Sequence, residues 1–354
     1  MQSKNYIFDA RPDLPFQITA KQYWFEDTPY SADAYTLVFA HAAGFCKEQW
    51  ETVIDGIFKL LRQSEDTNGD GLPTKFKIRE MWTIDAPNHG AAAILNEQVL
   101  QWGYDNVFSW ETYGRAVHAF LSGHGSRTDS YFRGHNIIGI GHSLGATAVM
   151  LSTTFQPSIS YKSIHIFEPM IYGQQWELKL RDFFLDVALK RRDIWPSSEE
   201  AFNVMRNRSA RKTWDERILK LFVRHGLRTL PTLDYPDKTI GVTLSCSKKQ
   251  EAALCRDPTS QVLAYNLLRH LIKKVPTHIT YGSIHEYPAA SRYDILHNAS
   301  GGIEQFSSVS EIEGAGHLVV HTHPDSVVEV IWKALHKDHV DISKVNKCHS
   351  KVKL

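Results

Sequence analysis

Residues 137–145 read Ile-Ile-Gly-Ile-Gly-His-Ser-Leu-Gly, an apolar run that closes in a Gly-x-Ser-x-Gly turn and continues into the small and apolar residues Ala146–Leu151. Strand, serine, then helix is the order that lifts a serine hydroxyl out of a sheet as a nucleophile. The turn has to be so tight that a side chain at Gly141 or Gly145 would collide across it, and the serine itself must take a strained backbone conformation. A helix beginning near Leu144 aims its free N–H groups at the same point. Ser143 is therefore the expected nucleophile.

Such a serine attacks only if a base accepts its proton and a carboxylate holds that base in the right tautomer. His317 is the expected base. It lies in Gly314-Ala315-Gly316-His317-Leu318, directly after a predicted strand over Ser307–Ile312, where small residues let the loop fold back to the carboxyl edge of a sheet. His321 and His323 are better explained by the start of the last helix, with Pro324 and Asp325 in its first turn. Two strand ends carry an acid. Glu168 follows Ser163–Phe167 and is the preferred candidate, while Glu286 follows Thr277–Gly282 at a spacing where His285 takes the usual position and is the alternative. A tetrahedral intermediate needs two N–H donors for its oxyanion. The Leu144 N–H is one, and the Ala43 N–H is the other, from His41-Ala42-Ala43-Gly44-Phe45 after the predicted strand Tyr35–Phe39. His89, in Asp85-Ala86-Pro87-Asn88-His89-Gly90, reads as structural, and no residue set points to a cofactor or a metal.

The elements that must position these residues alternate as in a mostly parallel sheet covered on both faces. Strands are predicted at Phe16–Trp24 (antiparallel), Tyr35–Phe39, Lys77–Ile84, the run before Ser143, Ser163–Phe167, Thr277–Tyr281 and Ser307–Ile312. Helices are predicted at Glu48–Leu61, Trp110–Leu121, after Ser143, at Ala289–His297 and at Asp325–Leu335. Asn68-Gly69-Asp70-Gly71 is a turn-rich loop. Between Ile171 and Lys274 the pattern changes to charged amphipathic helices over Trp176–Lys190, Ser198–Met205 and Trp214–His225, with an extended piece at Thr239–Ser245 and a helix over Asp257–Lys273. This divides the chain into a first part of an α/β core (1–170), an inserted helical cap (171–274) and a second part of the core with a tail (275–354).

The 354 residues carry 40 Lys and Arg against 39 Asp and Glu, a formal net charge of +1, so no global field recruits nucleic acid or an anionic surface. The four cysteines, Cys46, Cys246, Cys255 and Cys348, lack C-x-x-C spacing, which argues against a zinc site and a disulfide framework and fits a reducing compartment. Neither an apolar leader nor a membrane-length apolar run is present, so a soluble intracellular protein is expected. The tripeptide Val352-Lys353-Leu354 shares Lys and Leu with the signal read by the peroxisomal import receptor and has basic Lys347 and Lys351 upstream, whereas a frayed basic tail would leave the protein cytoplasmic.

Taken together, Leu37-Val38-Phe39-Ala40-His41, Ile84–Gly90, Gly141–Gly145, Phe167-Glu168-Pro169 and Glu313–Val319 resemble the α/β-hydrolase superfamily over nearly the whole chain. Phe167-Glu168-Pro169, Met205-Arg206-Asn207 and the Lys-Leu terminus are similar to a fungal branch that includes peroxisomal lipase and hydrolases of toxin biosynthesis. Ala42, where that class commonly has Gly, departs from the pattern. The resemblance implies an esterase or lipase of the peroxisomal matrix, and it supports Glu168 as the acid. The expected function is hydrolysis of a hydrophobic carboxylic ester through an acyl-enzyme on Ser143, with cap residues Trp176, Phe183, Phe184, Leu185, Trp195, Phe202 and Trp214 as candidate channel lining. A serine at the turn rather than an aspartate argues against epoxide hydrolase and haloalkane dehalogenase chemistry, which needs a carboxylate nucleophile. One alternative is an acyl-CoA or other thioesterase, with Arg191, Arg192, Arg206, Arg208, Arg211 and Lys212 available to phosphates. Another is a ligand-binding module with a silent hydrolase fold.

Overall fold

The computed structural model describes residues 1–25, 31–66, 76–123, 132–207 and 213–351, the side chains of 65, 66, 176–180 and 341–351 excepted. The Asn68–Gly71 turn, Arg208, Arg211, Lys212, the Trp176 side chain and the terminal Val352–Leu354 lie outside the described residues.

Eight strands form the main sheet: β1 (Gln2–Asp9), β2 (Gln17–Trp24), β3 (Tyr35–Ala40), β4 (Ile78–Ile84), β5 (Asn136–His142), β6 (Tyr161–Phe167), β7 (Thr277–Gly282) and β8 (Ser308–Ile312). Their order is β1-β2-β4-β3-β5-β6-β7-β8. The first two strands run antiparallel to their neighbours and the rest are parallel, which is the fold class expected from the sequence. Strand β1 was not anticipated, because Ser3–Tyr6 is exposed or half-exposed and carries no alternating apolar signal.

Side-chain alternation along the strands sorts the core into two faces. Leu37, Phe39, Ile138 and Ile140 pack under α1 (Glu51–Asp66) and the C-terminal helix Pro324–Lys351. Ile164, Ile166 and Ile279 point the other way, toward Trp110–Ser122, Leu144–Ser152 and Ser260–Ile272. The helix expected over Glu48–Leu61 opens as a 3-10 turn, Lys47–Trp50, whose Lys47 side chain reaches back to Asp85. The helix expected over Asp257–Lys273 is present as Ser260–Ile272, and a further helix, Lys248–Cys255, precedes it; between them the Asp257 carboxylate accepts from Trp110 N–H at 2.8 Å.

Between β6 and β7 the chain forms helices Gln174–Lys190, Ser198–Asn207 and Glu216–His225 and a three-stranded antiparallel sheet of Ile194–Trp195, Val242–Leu244 and Leu227–Thr229. Trp195, Trp214, Leu219, Phe222 and Leu244 build a third apolar cluster there, joined by Phe45 and Leu318 from the loops after β3 and β8. Trp195 and Trp214 are thus core residues of this segment rather than free lining.

Candidate active site

Three strand ends converge at the carboxyl edge of the sheet. Ser143 follows β5 with φ 56° and ψ −118°, and Glu168 follows β6 with φ 44°; among the described residues these are the two non-glycine positions with positive φ. Such strain costs on the order of 1–3 kcal/mol per residue and persists only where surrounding contacts impose it. At Ser143 those contacts are its own N–H on the Phe167 carbonyl (2.9 Å) and its carbonyl taken up by Ala146 N–H (3.1 Å). At Glu168, the N–H donates to the Thr280 carbonyl of β7 (2.8 Å). The two motif glycines are required by contact: a Cβ at Gly141 would lie 2.5 Å from Ala146 N, and one at Gly145 would lie 2.2 Å from the Ala40 carbonyl oxygen.

His317 arrives on the loop after β8. Its Nε2 is 2.9 Å from Ser143 Oγ and its Nδ1 is 3.3 Å from Glu168 Oε2. Ser143 and Glu168 are both 5% exposed, and the His317 side chain is 12% exposed, so the imidazole is the member of the set most open to solvent. The other candidate acid, Glu286, contacts the same residue differently: its Oε2 accepts from the His317 backbone N–H at 2.5 Å. The His317 carbonyl is held in turn by His142 Nε2–H at 2.8 Å, and the ring packs edge-on against Tyr287 at 4.9 Å between centroids. Burial pushes His142 down to about 3, which keeps that imidazole neutral.

Glu168 Oε1 accepts from Gly282 N–H (2.6 Å) and lies 3.5 Å from Arg292 Nη2, which also donates to the Gly282 carbonyl (2.8 Å). The Arg292 guanidinium stacks over Tyr281, 4.3 Å from the ring centroid. Burial first, and then the Glu168 charge, raises the Tyr281 and Tyr287 hydroxyls well above their ordinary range, so both stay protonated beside the carboxylate. A cleft on this side is lined by Met170, Ile171, Tyr172, Tyr281, Tyr287 and Ile295 together with Glu168 and Arg292. Among the described side chains, Phe183, Phe184, Trp195, Phe202 and Trp214, anticipated as channel lining, are not part of its wall, although Phe184 packs against Tyr287 at 5.8 Å between ring centroids.

The loop after β3 is fixed by histidines. Gly44 N–H donates to His89 Nε2 (2.8 Å), and Ala86 N–H donates to His41 Nε2 (3.0 Å). Beneath them Asp85 accepts from Lys47 Nζ (2.9 Å), Lys47 N–H (2.8 Å) and Thr19 Oγ1 (2.6 Å). His89 is thus a loop-holding residue, in line with its structural reading. Ala43, half-buried in this loop, and Leu144, the first residue of its helix, have N–H groups taken up by no acceptor among the described residues. His321, in the one-turn helix Val319–Thr322, stacks on Phe45 at 3.9 Å.

Sequence reasoning overlooked Arg292, Tyr287 and the contact of His142. Arg292 lies in a stretch whose only local signal is helical and Tyr287 in the turn before it, and they reach the site because β7 and the following turn lie beside Glu168. His142 sits inside the serine motif, where its identity was visible but its partner, a backbone carbonyl far along the chain, was not.

A sequence model of the Alpha/beta hydrolase family matches residues 37–330. The type I acyl-CoA thioesterase mpaH of Penicillium roqueforti is 28% identical over 231 residues, 62% of this chain and 46% of that protein. The chain spans about half the length of the curated relatives it matches. Among solved structures, the peroxisomal alpha-beta-hydrolase Lpx1 of Saccharomyces cerevisiae has a TM-score of 0.67 at 19% identity, covering 100% of this chain and 98% of that one. An esterase of M. tuberculosis has a TM-score of 0.62 at 16% identity, covering 94% of this chain and 91% of that one.

Proposed function

This chain belongs to the alpha/beta hydrolase family, and on that premise we propose that it is a serine hydrolase that forms an acyl-enzyme on Ser143, with His317 as general base and Glu168 as the carboxylate that orients it. The observation that carries this reading is the continuous contact from Ser143 Oγ to His317 Nε2 (2.9 Å) and from His317 Nδ1 to Glu168 Oε2 (3.3 Å). His317 removes the Ser143 proton as Oγ attacks the acyl carbon, and the Leu144 and Ala43 N–H groups receive the oxyanion. Collapse expels the leaving group with the proton from His317, and water repeats the cycle on the acyl-enzyme. Glu286 fixes the His317 backbone instead of its ring, which supports Glu168 over Glu286 as the acid.

The substrate is a hydrophobic carboxylic ester that enters beneath a cap formed by residues 171–274. A second reading, a thioester, is favoured by the activity carried in the name of the Penicillium relatives. Against recognition of a CoA phosphate by the cap, Arg191 is engaged by Glu251 and Arg206 lies 3.6 Å from Glu216. Location in the peroxisome is supported by likeness to the yeast peroxisomal hydrolase; imaging a fluorescent fusion with and without the last three residues tests it.

The deciding experiment exposes the purified chain to a fluorophosphonate probe and to matched oxygen esters and CoA thioesters, alongside Ser143→Ala. Labelling and turnover that vanish in the variant are expected, with the preferred substrate separating esterase from thioesterase. A folded wild-type chain that neither labels nor turns over either substrate would leave a ligand-binding module.

A further inference from the structure

Ser163 and His165 are two residues apart on β6, so their side chains leave the same face of the sheet. His278 is the register partner of His165 on β7, and Ser308 is the partner of His278 on β8. On the neighbouring strand the partner of His165 is Ile140, one of the apolar residues packed under the C-terminal helix. Polar groups therefore occupy a layer where the adjacent strands β3 and β5 present Leu37, Phe39, Ile138 and Ile140, and burying them there without partners would cost several kcal/mol.

The partner comes from the helix above. Asp338 Oδ1 is 2.8 Å from His278 Nε2, and Asp338 Oδ2 is 3.4 Å from His165 Nε2 and 2.5 Å from Ser163 Oγ. Ser163 Oγ is also 3.2 Å from His165 Nε2. His165 and His278 are each 2% exposed, Asp338 5% and Ser163 0%.

We propose that His165, His278 and Asp338, with the Ser163 hydroxyl as fourth ligand, form a closed site for a zinc-class dication that fastens the C-terminal helix to the sheet. One ligand atom from each of the two histidines and the aspartate lies within 4.8 Å of the others. Tetrahedral bonds of about 2.0 Å place ligand atoms about 3.3 Å apart, so modest side-chain rotation closes the set. The outer nitrogen of His278, Nδ1, is 2.7 Å from Ser308 Oγ, the kind of contact that turns the other ring nitrogen toward a metal. Two imidazoles with a carboxylate suit zinc, and a site without exposure has no open position for a substrate, which makes its role structural. The cysteine spacing that argued against zinc in the sequence does not bear on this set, because its members come from β6, β7 and the last helix and meet only in the fold.

Hydrogen bonds alone would also hold these groups together, so metal uptake makes the distinction. The tag-free full chain, stripped with a chelator, is expected to take up one equivalent of Co(II) with the intense visible absorption of a tetrahedral ion and to release it to Zn(II). Its thermal midpoint is expected to rise with the logarithm of Zn(II) concentration. Ser143→Ala is expected to bind equally, since no ligand belongs to the proposed active site. Asp338→Asn and His278→Gln are expected to weaken uptake by about tenfold or more, and if either fails to fold, the wild-type titration and spectrum decide alone. A wild-type chain with no stoichiometric uptake, or uptake undiminished in folded Asp338→Asn, overturns the site and leaves a hydrogen-bonded cluster.

Discussion

Two sets of serine, histidine and carboxylate meet the same sheet, one past its carboxyl edge and one in its middle. At the edge, Ser143, His317 and Glu168 come from three separate loops, two of them in strained backbone. In the middle, Ser163 and His165 sit in regular strand and Asp338 on a regular helix. The contact distances are alike, 2.9 and 3.3 Å at the edge against 3.2 and 3.4 Å in the middle. Their surroundings are not. Ser163 Oγ has no exposure and directs its hydrogen at Asp338, whereas Ser143 Oγ faces an imidazole backed by a carboxylate and lies beside a helix N-terminus. Residue types and spacing alone do not make a nucleophile. Strain at a strand end and N–H groups aimed at the same point set Ser143, the proposed nucleophile, apart from Ser163.

The sharpest way to break this contrast is to delete each serine. Ser143→Ala is expected to lower acyl turnover by about 10⁴-fold or more and to abolish fluorophosphonate labelling, while Ser163→Ala leaves kcat within about threefold; equal losses would erase the distinction. The carboxylates come next. Glu168→Gln removes the acceptor for the His317 tautomer and is expected to lower kcat by about 10³-fold, whereas Glu286→Gln weakens one backbone contact and lowers it by about tenfold or less. The reverse ranking in steady-state kinetics would transfer the acid role to Glu286.

In the middle of the sheet the effect is expected on stability instead. Asp338→Ala leaves two buried imidazoles without their carboxylate and is expected to destabilise the fold by about 3 kcal/mol in denaturant titration, with kcat unchanged in the protein that remains folded. The smallest effect is on pH dependence. His142 has an ordinary value of about 6.5 when unfolded and is held down to about 3 by burial, so folding favours its neutral form. The stability from burying it neutral is complete above about pH 6.5 and is lost as pH falls toward 3. Denaturant midpoints measured from pH 7 to pH 5 are expected to fall, and His142→Gln, which keeps a donor for the His317 carbonyl, should fall less steeply. Parallel slopes would locate the acid sensitivity elsewhere.

Much of the edge site was legible because its signals are local. Gly141–Gly145 carries its own steric reason, and His317 announces itself by a small-residue loop after a strand. Glu168 and Glu286 were harder, since both follow strands that end at the same edge, and one-dimensional order cannot say which carboxylate meets the ring and which meets the main chain. Their register does: β6 lies between β5 and β7, so Glu168 emerges beside Ser143 and is gripped by Gly282 of β7. In the segment between β6 and β7 the helices were visible from their periodicity, while Ile194–Trp195 and Leu227–Thr229 were too short to show a strand period before they paired with Val242–Leu244.

By itself the sequence determined the α/β architecture, the tight turn at Ser143 and the loop that carries His317, because each rests on neighbours within a few residues whose sterics and periodicity act wherever the chain goes. Only the tertiary structure decided which carboxylate faces His317, that Arg292 and Tyr287 flank it, and that His165, His278 and Asp338 meet. Those contacts join residues from different strands and a distant helix, and their energy exists only once strand order and register have brought them together.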